Sequence, residues 1–187
     1  MKLKIRYIIF LIGLLSFIIS FLWFGRNQDM YQMLMLCGLL VAAISFLLIM
    51  IKQDSRRNKL IWTFVLIVGI IINRITEPML IDHSYNLFID SHSQELNLMN
   101  KNLLAINGDI TISKDTIYTN SILSDSKKTE LHKLKEKINV YTITKSEDYI
   151  YYGLWGFLDV RLGISYYPNE SKMKLVNARK LKPNWYH

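Results

Sequence analysis

The chain has 187 residues, 51% of them hydrophobic, and a formal net charge of +8 at pH 7. Residues 1–81 carry +6 of this charge and residues 82–187 only +2. A nucleic-acid-binding protein needs a basic face on a folded domain, so this distribution predicts no nucleic-acid partner. The single cysteine, Cys37, excludes an intramolecular disulfide.

Three apolar runs fill the first part of the chain, over residues 5–24, 30–51 and 60–81. Each is long enough to cross a hydrocarbon core of about 30 Å at about 1.5 Å per residue. A cleaved signal peptide is the alternative for the first run, but that run is too long and too bulky at its end for a cleavage site. We therefore predict a three-helix transmembrane bundle. Its small residues, such as Gly38, allow close helix packing within the bundle or against another membrane protein.

The distribution of basic residues predicts the orientation of these helices. Three Lys or Arg residues lie at the N-terminal flank of the first run, at positions 2, 4 and 6, one lies in residues 25–29 and four lie in residues 52–59. Because basic residues favour the cytoplasmic side, the N-terminus is expected inside and residues 82–187 outside. Frequent Ile, Lys and Asn are typical of AT-rich bacterial genomes. The predicted location is therefore a bacterial cytoplasmic (inner) membrane, with an extracytoplasmic or periplasmic C-terminal domain.

Two charged residues fall within the third apolar run, Arg74 and Glu77. At a spacing of three residues they share one helix face and can pair. Charges inside a membrane segment are candidates for function. The alternative is a helix that is leaving the outer leaflet with a snorkelling Arg74, and Pro78 favours a helix that ends or kinks there.

The C-terminal half predicts a small α+β domain over residues 82–187. After a connector at 82–104, Asn107-Gly108 between apolar residues predicts a hairpin, with a possible further strand at 116–119. A helix is expected from Ser126, because Leu131, Leu134 and Ile138 share one face.

Alternating β-branched and aromatic residues predict strands in the rest of this half. The predicted strands cover residues 140–144, 149–155 and 160–167, with a possible edge strand at 172–180. The resulting order of elements indicates an antiparallel sheet with one helix packed across it.

No catalytic or cofactor-binding motif occurs in the sequence. It lacks a phosphate-binding loop, G-x-S-x-G, H-E-x-x-H and C-x-x-C. Two Asp-His groups precede the domain, Asp82-His83 and Asp90 with His92, and could in principle hold a metal. Short polar residues are also usual in a connector, so we expect no metal, no cofactor and no catalytic residue.

The segment 148–167 concentrates aromatic residues and has two interpretations. Its aromatic residues could fill the core of a small domain, or some could form a recognition surface rich in Tyr and Arg. Adjacent residues of a strand face opposite sides. In each of the tyrosine pairs at 151–152 and 166–167, only one of the two residues can therefore point inward. Strand parity without a bulge assigns four residues to the core: Tyr149, Tyr151, Trp155 and Phe157. It assigns the partner-binding patch to Tyr152, Asp159, Arg161, and Tyr166 or Tyr167.

These features lead to three hypotheses of function. The preferred one is a non-enzymatic, membrane-anchored binding protein whose outer domain contacts a protein partner, such as an immunity-type protein against a secreted toxin. The second is an accessory subunit of a larger membrane complex, in which the helices form the interface. The third is a membrane-surface enzyme that uses Asp82, His83, Asp90 and His92, or Arg74 and Glu77.

Overall fold

The computed structural model describes residues 5–51, 55–114, 116–157, 160–173 and 178–187, with the backbone alone for Gly156, Phe157, Val160, Arg161 and Lys172. The contacts divide the chain into two compact units. We call Met1–Ser84 the helical unit and Tyr85–His187 the sheet unit. Each is described separately below.

The helical unit is built from three long helices. They are α1 (Ile5–Ser20, extended by a 3₁₀ turn at Phe21–Trp23), α2 (Gln28–Ile51) and α3 (Arg56–Ser91), the last of which continues into the sheet unit. All three are long and apolar enough to cross a membrane, which confirms the apolar helices predicted from the sequence.

Helix α3 passes through Pro78 and does not end there. The expectation that the helix terminates near residue 81 is therefore wrong. A proline removes one backbone donor, a loss that helix formation on both sides outweighs. Tyr85 and Phe88, on the last turns of α3, are buried in the sheet unit, so tertiary packing favours a continuous helix.

Helices α1 and α2 approach each other to backbone contact. A Cβ atom placed on Gly13 would lie 2.6 Å from the Ala42 amide nitrogen, and one on Gly38 would lie 2.6 Å from that of Phe17. Only glycine fits at such a distance. Large aliphatic residues on the outside of these helices, such as Leu40, are exposed.

An aromatic cluster joins the three helices at one end of the unit. The rings of Tyr7 and Trp62 stack at 4.5 Å, and Phe10 meets Trp62 edge-on at 5.9 Å. All three side chains are buried. Lys59 also donates to the Met50 carbonyl oxygen at 2.6 Å, which links α3 to the end of α2.

The sheet unit contains seven antiparallel strands in the order β2-β1-β3-β4-β5-β7-β6. The strands are β1 (Ile110–Ile112), β2 (Ile117–Thr119), β3 (Thr142–Lys145), β4 (Ile150–Phe157), β5 (Val160–Tyr166), β6 (Lys180–Lys182) and β7 (Trp185–Tyr186). The helices after α3 are α4 (Ser93–Leu104) and α5 (Asp125–Ile138), with a 3₁₀ turn at Glu170–Lys172. The predicted antiparallel sheet is confirmed. Of the edge strand predicted at 172–180, residues 174–177 lie outside the described residues, residue 172 belongs to the 3₁₀ turn and residue 180 begins β6.

The predicted hairpin around Asn107-Gly108 is wrong. Leu103 is fully buried in the last turn of α4, where it continues the helical spacing set by Leu96 and Met99. The hairpin that does form joins β1 to β2, and its turn is closed by a hydrogen bond of 2.9 Å from the Ser113 amide to the Thr116 carbonyl oxygen.

Helix α5 starts two residues earlier than expected. Ser124, and not Ser126, caps it by accepting a hydrogen bond from the Lys127 amide. The predicted apolar face is confirmed, since Leu131, Leu134 and Ile138 are all buried.

Candidate functional site

Tyr152 points into the core of the sheet unit, so its expected exposure on a binding patch is wrong. Its side chain is 0% exposed. The hydroxyl donates a hydrogen bond of 2.6 Å to Oδ1 of Asn100 on α4. Burial, with a smaller contribution from Tyr166, raises the pKa of the phenol well above its usual value. In register beside Tyr152 lie Ile143 and Ile164, both buried, which identifies this side of the sheet as the core side.

A β-bulge changes the parity of strand β4. Gly153 pairs with Gly163, but the next pair joins Trp155 to Leu162, so one residue is inserted between them. Trp155 therefore lies on the same side of the sheet as Tyr152. The prediction that Trp155 shares a side with Tyr149 and Tyr151 is wrong for this reason.

Tyr166 and Tyr167, the other predicted patch residues whose side chains the structure describes, are not exposed. Tyr166 is half-buried and packs on Trp185, with ring centroids 5.0 Å apart. Tyr167 is 3% exposed, between Tyr149 and Tyr186. Burial raises the pKa of the Tyr167 phenol, and the nearby Tyr149 and Asp148 raise it to a smaller extent.

Asp159 and the Arg161 side chain lie outside the described residues. The backbone of Arg161 belongs to β5 and pairs with that of Gly156.

The side of the sheet opposite Tyr152 carries a row of hydroxyl-bearing residues. Each pair of neighbours in the row is in direct cross-strand register. We call these residues the hydroxyl row. In order across the neighbouring strands, they are Tyr118 (β2), Thr111 (β1), Thr144 (β3), Tyr151 (β4), Ser165 (β5) and Tyr186 (β7).

The first four residues of this row are not buried. Tyr118 is 63% exposed, while Thr111, Thr144 and Tyr151 are half-buried. The Thr111 hydroxyl lies 3.4 Å from that of Thr144, within hydrogen-bond distance. Ser165 and Tyr186, at the other end, are buried. The accessible part of the row therefore covers the four strands β2, β1, β3 and β4.

Two glycines beside the row make room for the ring of Tyr151. A Cβ atom on Gly163 would lie 2.9 Å from the ring carbon that bears its hydroxyl, and one on Gly153 would lie 3.4 Å from another ring carbon. An aromatic ring that covers a glycine in the neighbouring strand stabilises the sheet. It also holds Tyr151 in a fixed orientation on this surface.

The hydroxyl row combines two kinds of contact. Ser, Thr and Tyr hydroxyls can both donate and accept hydrogen bonds, and tyrosine rings offer large apolar area. The tyrosines of the row suit a protein interface, in which Tyr is enriched and charged residues are depleted. The sequence offered one signal, the alternation of Thr and Ile in β1 and β3, but not the register that aligns the row.

Arg74 and Glu77 form the ion pair predicted from their spacing. The Arg74 guanidinium lies 3.8 Å from the Glu77 carboxylate, with side chains 80% and 28% exposed. Both residues are in the continuous part of α3. The two charged groups are far apart for an ion pair and Arg74 is largely exposed, so the pair contributes little to stability.

The two Asp-His groups do not converge. Among the described residues, no three His, Cys, Asp or Glu side chains are grouped closely enough to hold a metal ion. Asp90 forms an ion pair with Lys182 of β6. His92 packs against the Phe88 ring at 4.7 Å and lies within hydrogen-bond distance of the Ser91 hydroxyl.

No protein-family model, curated protein or solved structure matches this chain.

Proposed function

We propose that the protein is a membrane-anchored binding protein whose sheet unit contacts a protein partner through the hydroxyl row. The observation that carries this proposal is the continuous row itself, with four unburied Thr and Tyr residues on adjacent strands. Tyr side chains lose little conformational freedom for the contact area they provide, which suits them to recognition.

The helices supply the anchor in this proposal. Three helices of membrane-spanning length and composition hold the chain in a bilayer. The asymmetry of Lys and Arg favours a cytoplasmic N-terminus and a sheet unit on the outside of a bacterial cytoplasmic membrane. An immunity-type protein that neutralises a secreted toxin would need this arrangement.

Site-specific photo-crosslinking in living cells tests the proposed contact. Tyr118 lies in the hydroxyl row and Tyr141 outside it, and their exposed fractions are almost equal at 63% and 62%. A photoreactive phenylalanine analogue at position 118 should give an adduct of defined mass, and the same analogue at position 141 should not. Replacing Thr111 and Thr144 with Ala should then weaken the adduct at 118.

Two results would argue against the proposal. One is an adduct of the same mass and yield at both positions, because contact would then not be specific to the row. The other is the absence of any adduct at position 118 under conditions in which the protein is functional.

A further inference from the structure

A cavity of about 440 Å³ lies within the helical unit. Its walls are mainly apolar and come from all three helices, including Leu14 and Phe17 of α1, Leu39 of α2 and Leu66 of α3. A volume of this size falls in the range of small-molecule sites, roughly 300–1,000 Å³. A partner helix, about 10–12 Å across with its side chains, would need a long open groove instead.

Three polar residues of α3 also line this cavity: Asn73, Arg74 and Glu77. Asn73 is only 9% exposed, and its Oδ1 atom is buried without a hydrogen-bond partner among the described residues. An unpaired polar group in an apolar environment carries a free-energy cost. A bound group that donates a hydrogen bond would remove this cost.

The polar residues lie toward the C-terminal end of the apolar part of α3. The apolar run of α3 starts at Leu60, and Glu77 is 17 residues further along, which is a rise of about 25 Å at 1.5 Å per residue. This distance is close to the thickness of the hydrocarbon core, about 30 Å. The apolar walls then lie at acyl-chain depth, Glu77 lies near the interface, and Asn73 lies about 6 Å deeper, one turn earlier in α3.

We infer that this cavity binds one phospholipid with a primary ammonium head group, of the phosphatidylethanolamine type. One acyl chain fills the apolar part. The Arg74 guanidinium, 80% exposed, donates to the phosphate, for which its planar fork is suited. The ammonium donates to Asn73 Oδ1 and to the Glu77 carboxylate. A zwitterionic head group thus matches one cation, one anion and one unpaired acceptor. This inference rests on the membrane anchoring proposed above but not on the hydroxyl row.

Native mass spectrometry of the full chain in lipid nanodiscs tests this inference. The nanodiscs contain equal amounts of palmitoyl-oleoyl phosphatidylethanolamine and phosphatidylcholine, whose trimethylated nitrogen cannot donate a hydrogen bond. We expect one retained phosphatidylethanolamine per chain, preferred about tenfold over phosphatidylcholine, as the loss of hydrogen bonds to a charged group implies.

Two pairs of variants connect the retained lipid with the cavity. Asn73→Leu removes the unpaired acceptor and should reduce the preference, because Glu77 still accepts from the ammonium, whereas Ile72→Leu at the neighbouring, exposed position should leave it unchanged. Leu66→Trp fills the cavity and should remove the lipid, whereas Ile67→Trp places the same bulk on an exposed position outside the lining. Since the two variants change different groups, a folding defect in one leaves the other to decide.

Several outcomes would overturn the inference. They are equal retention of the two lipids, unchanged retention in Leu66→Trp, and a chain dimer that carries no lipid. The last would assign the cavity to a second copy of the chain. None of them depends on the crosslinks at Tyr118, so a failure here is separate from a failure of the proposed protein contact.

Discussion

Tyr152 and Asn100 form a polar contact inside an apolar core, and both side chains are buried. Tyr152→Phe would leave Asn100 Oδ1 without its donor, while Asn100 Nδ2 already lacks a partner among the described residues. We expect the free energy of opening of β4 to fall by about 1–3 kcal/mol, the usual cost of a buried unsatisfied group. The rate of hydrogen exchange of the β4 amides measures this free energy of opening.

Tyr118→Phe is the matched control for this prediction. It removes the same hydroxyl from an exposed side chain, so the shift in stability should be at most about 0.5 kcal/mol. Equal effects of the two substitutions would mean that the Tyr152–Asn100 contact does not stabilise the fold.

Glu170 links β6 to the turn before β7. Its carboxylate accepts hydrogen bonds from the Lys180 ammonium at 2.9 Å and from the Asn184 amide at 2.7 Å. These contacts lower the pKa of Glu170 below its usual value, and the contact with Lys180 has the largest effect. A lowered pKa in the folded state means that the stabilising contribution is present above the unfolded pKa, about 4.3, and is lost as the pH falls through the folded value.

Glu170→Gln tests this acid-sensitive contact. Hydrogen exchange of β6 and β7 should be faster in the variant than in the wild type at neutral pH. The difference should shrink as the pH falls below about 4.3, where the wild-type carboxylate becomes protonated. A difference that is independent of pH would show that the charge of Glu170 is not what stabilises these strands.

The sequence predicted the helices and strands whose formation depends on local hydrophobic patterns. Hydrophobic period and propensity predict three groups of features. These are the three apolar helices, the face of α5 formed by Leu131 and Leu134, and the strands around β3, β4 and β5. Residues 94–104 have enough apolar positions for a short helix, but Asn107-Gly108 favoured a strand that begins at Leu103, where α4 has its last turn. The continuation of α3 past Pro78 depends on packing in the sheet unit, which no local signal reports.

The candidate site was harder to predict than the fold, because it depends on register. Tyr151 and Tyr152 are chemically identical neighbours, so the sequence alone does not decide which of them points inward. The bulge before Trp155 then reverses the parity of the following residues. The hydroxyl row combines residues from six strands, and only the long-range pairing of those strands aligns them.

The close contact of α1 and α2 leads to a prediction of its own. Gly38→Val places a side chain against the α1 backbone, so the two helices must separate and the detergent-solubilised protein should unfold at a lower temperature. Ala43→Val adds similar bulk at an exposed position of the same helix and should leave the midpoint almost unchanged. Equal midpoints for the two variants would contradict the backbone contact at Gly38.

In the proposed function, the whole molecule combines a membrane anchor with a sheet that has two chemically different sides. One side is the core that contains Tyr152, and the other carries the hydroxyl row. The proposed function requires that this second side lie outside the cytoplasmic membrane, where a secreted partner can reach it.

Labelling with a membrane-impermeant maleimide tests on which side of the membrane the sheet unit lies. In a Cys37→Ser background, Tyr118→Cys places a single thiol on the hydroxyl row, and Ser55→Cys places one in the predicted cytoplasmic loop. In intact spheroplasts, the thiol at 118 should be labelled, and the thiol at 55 only after permeabilisation. Labelling at 55 in intact spheroplasts, with protection at 118 until permeabilisation, would place the sheet unit in the cytoplasm and contradict the account.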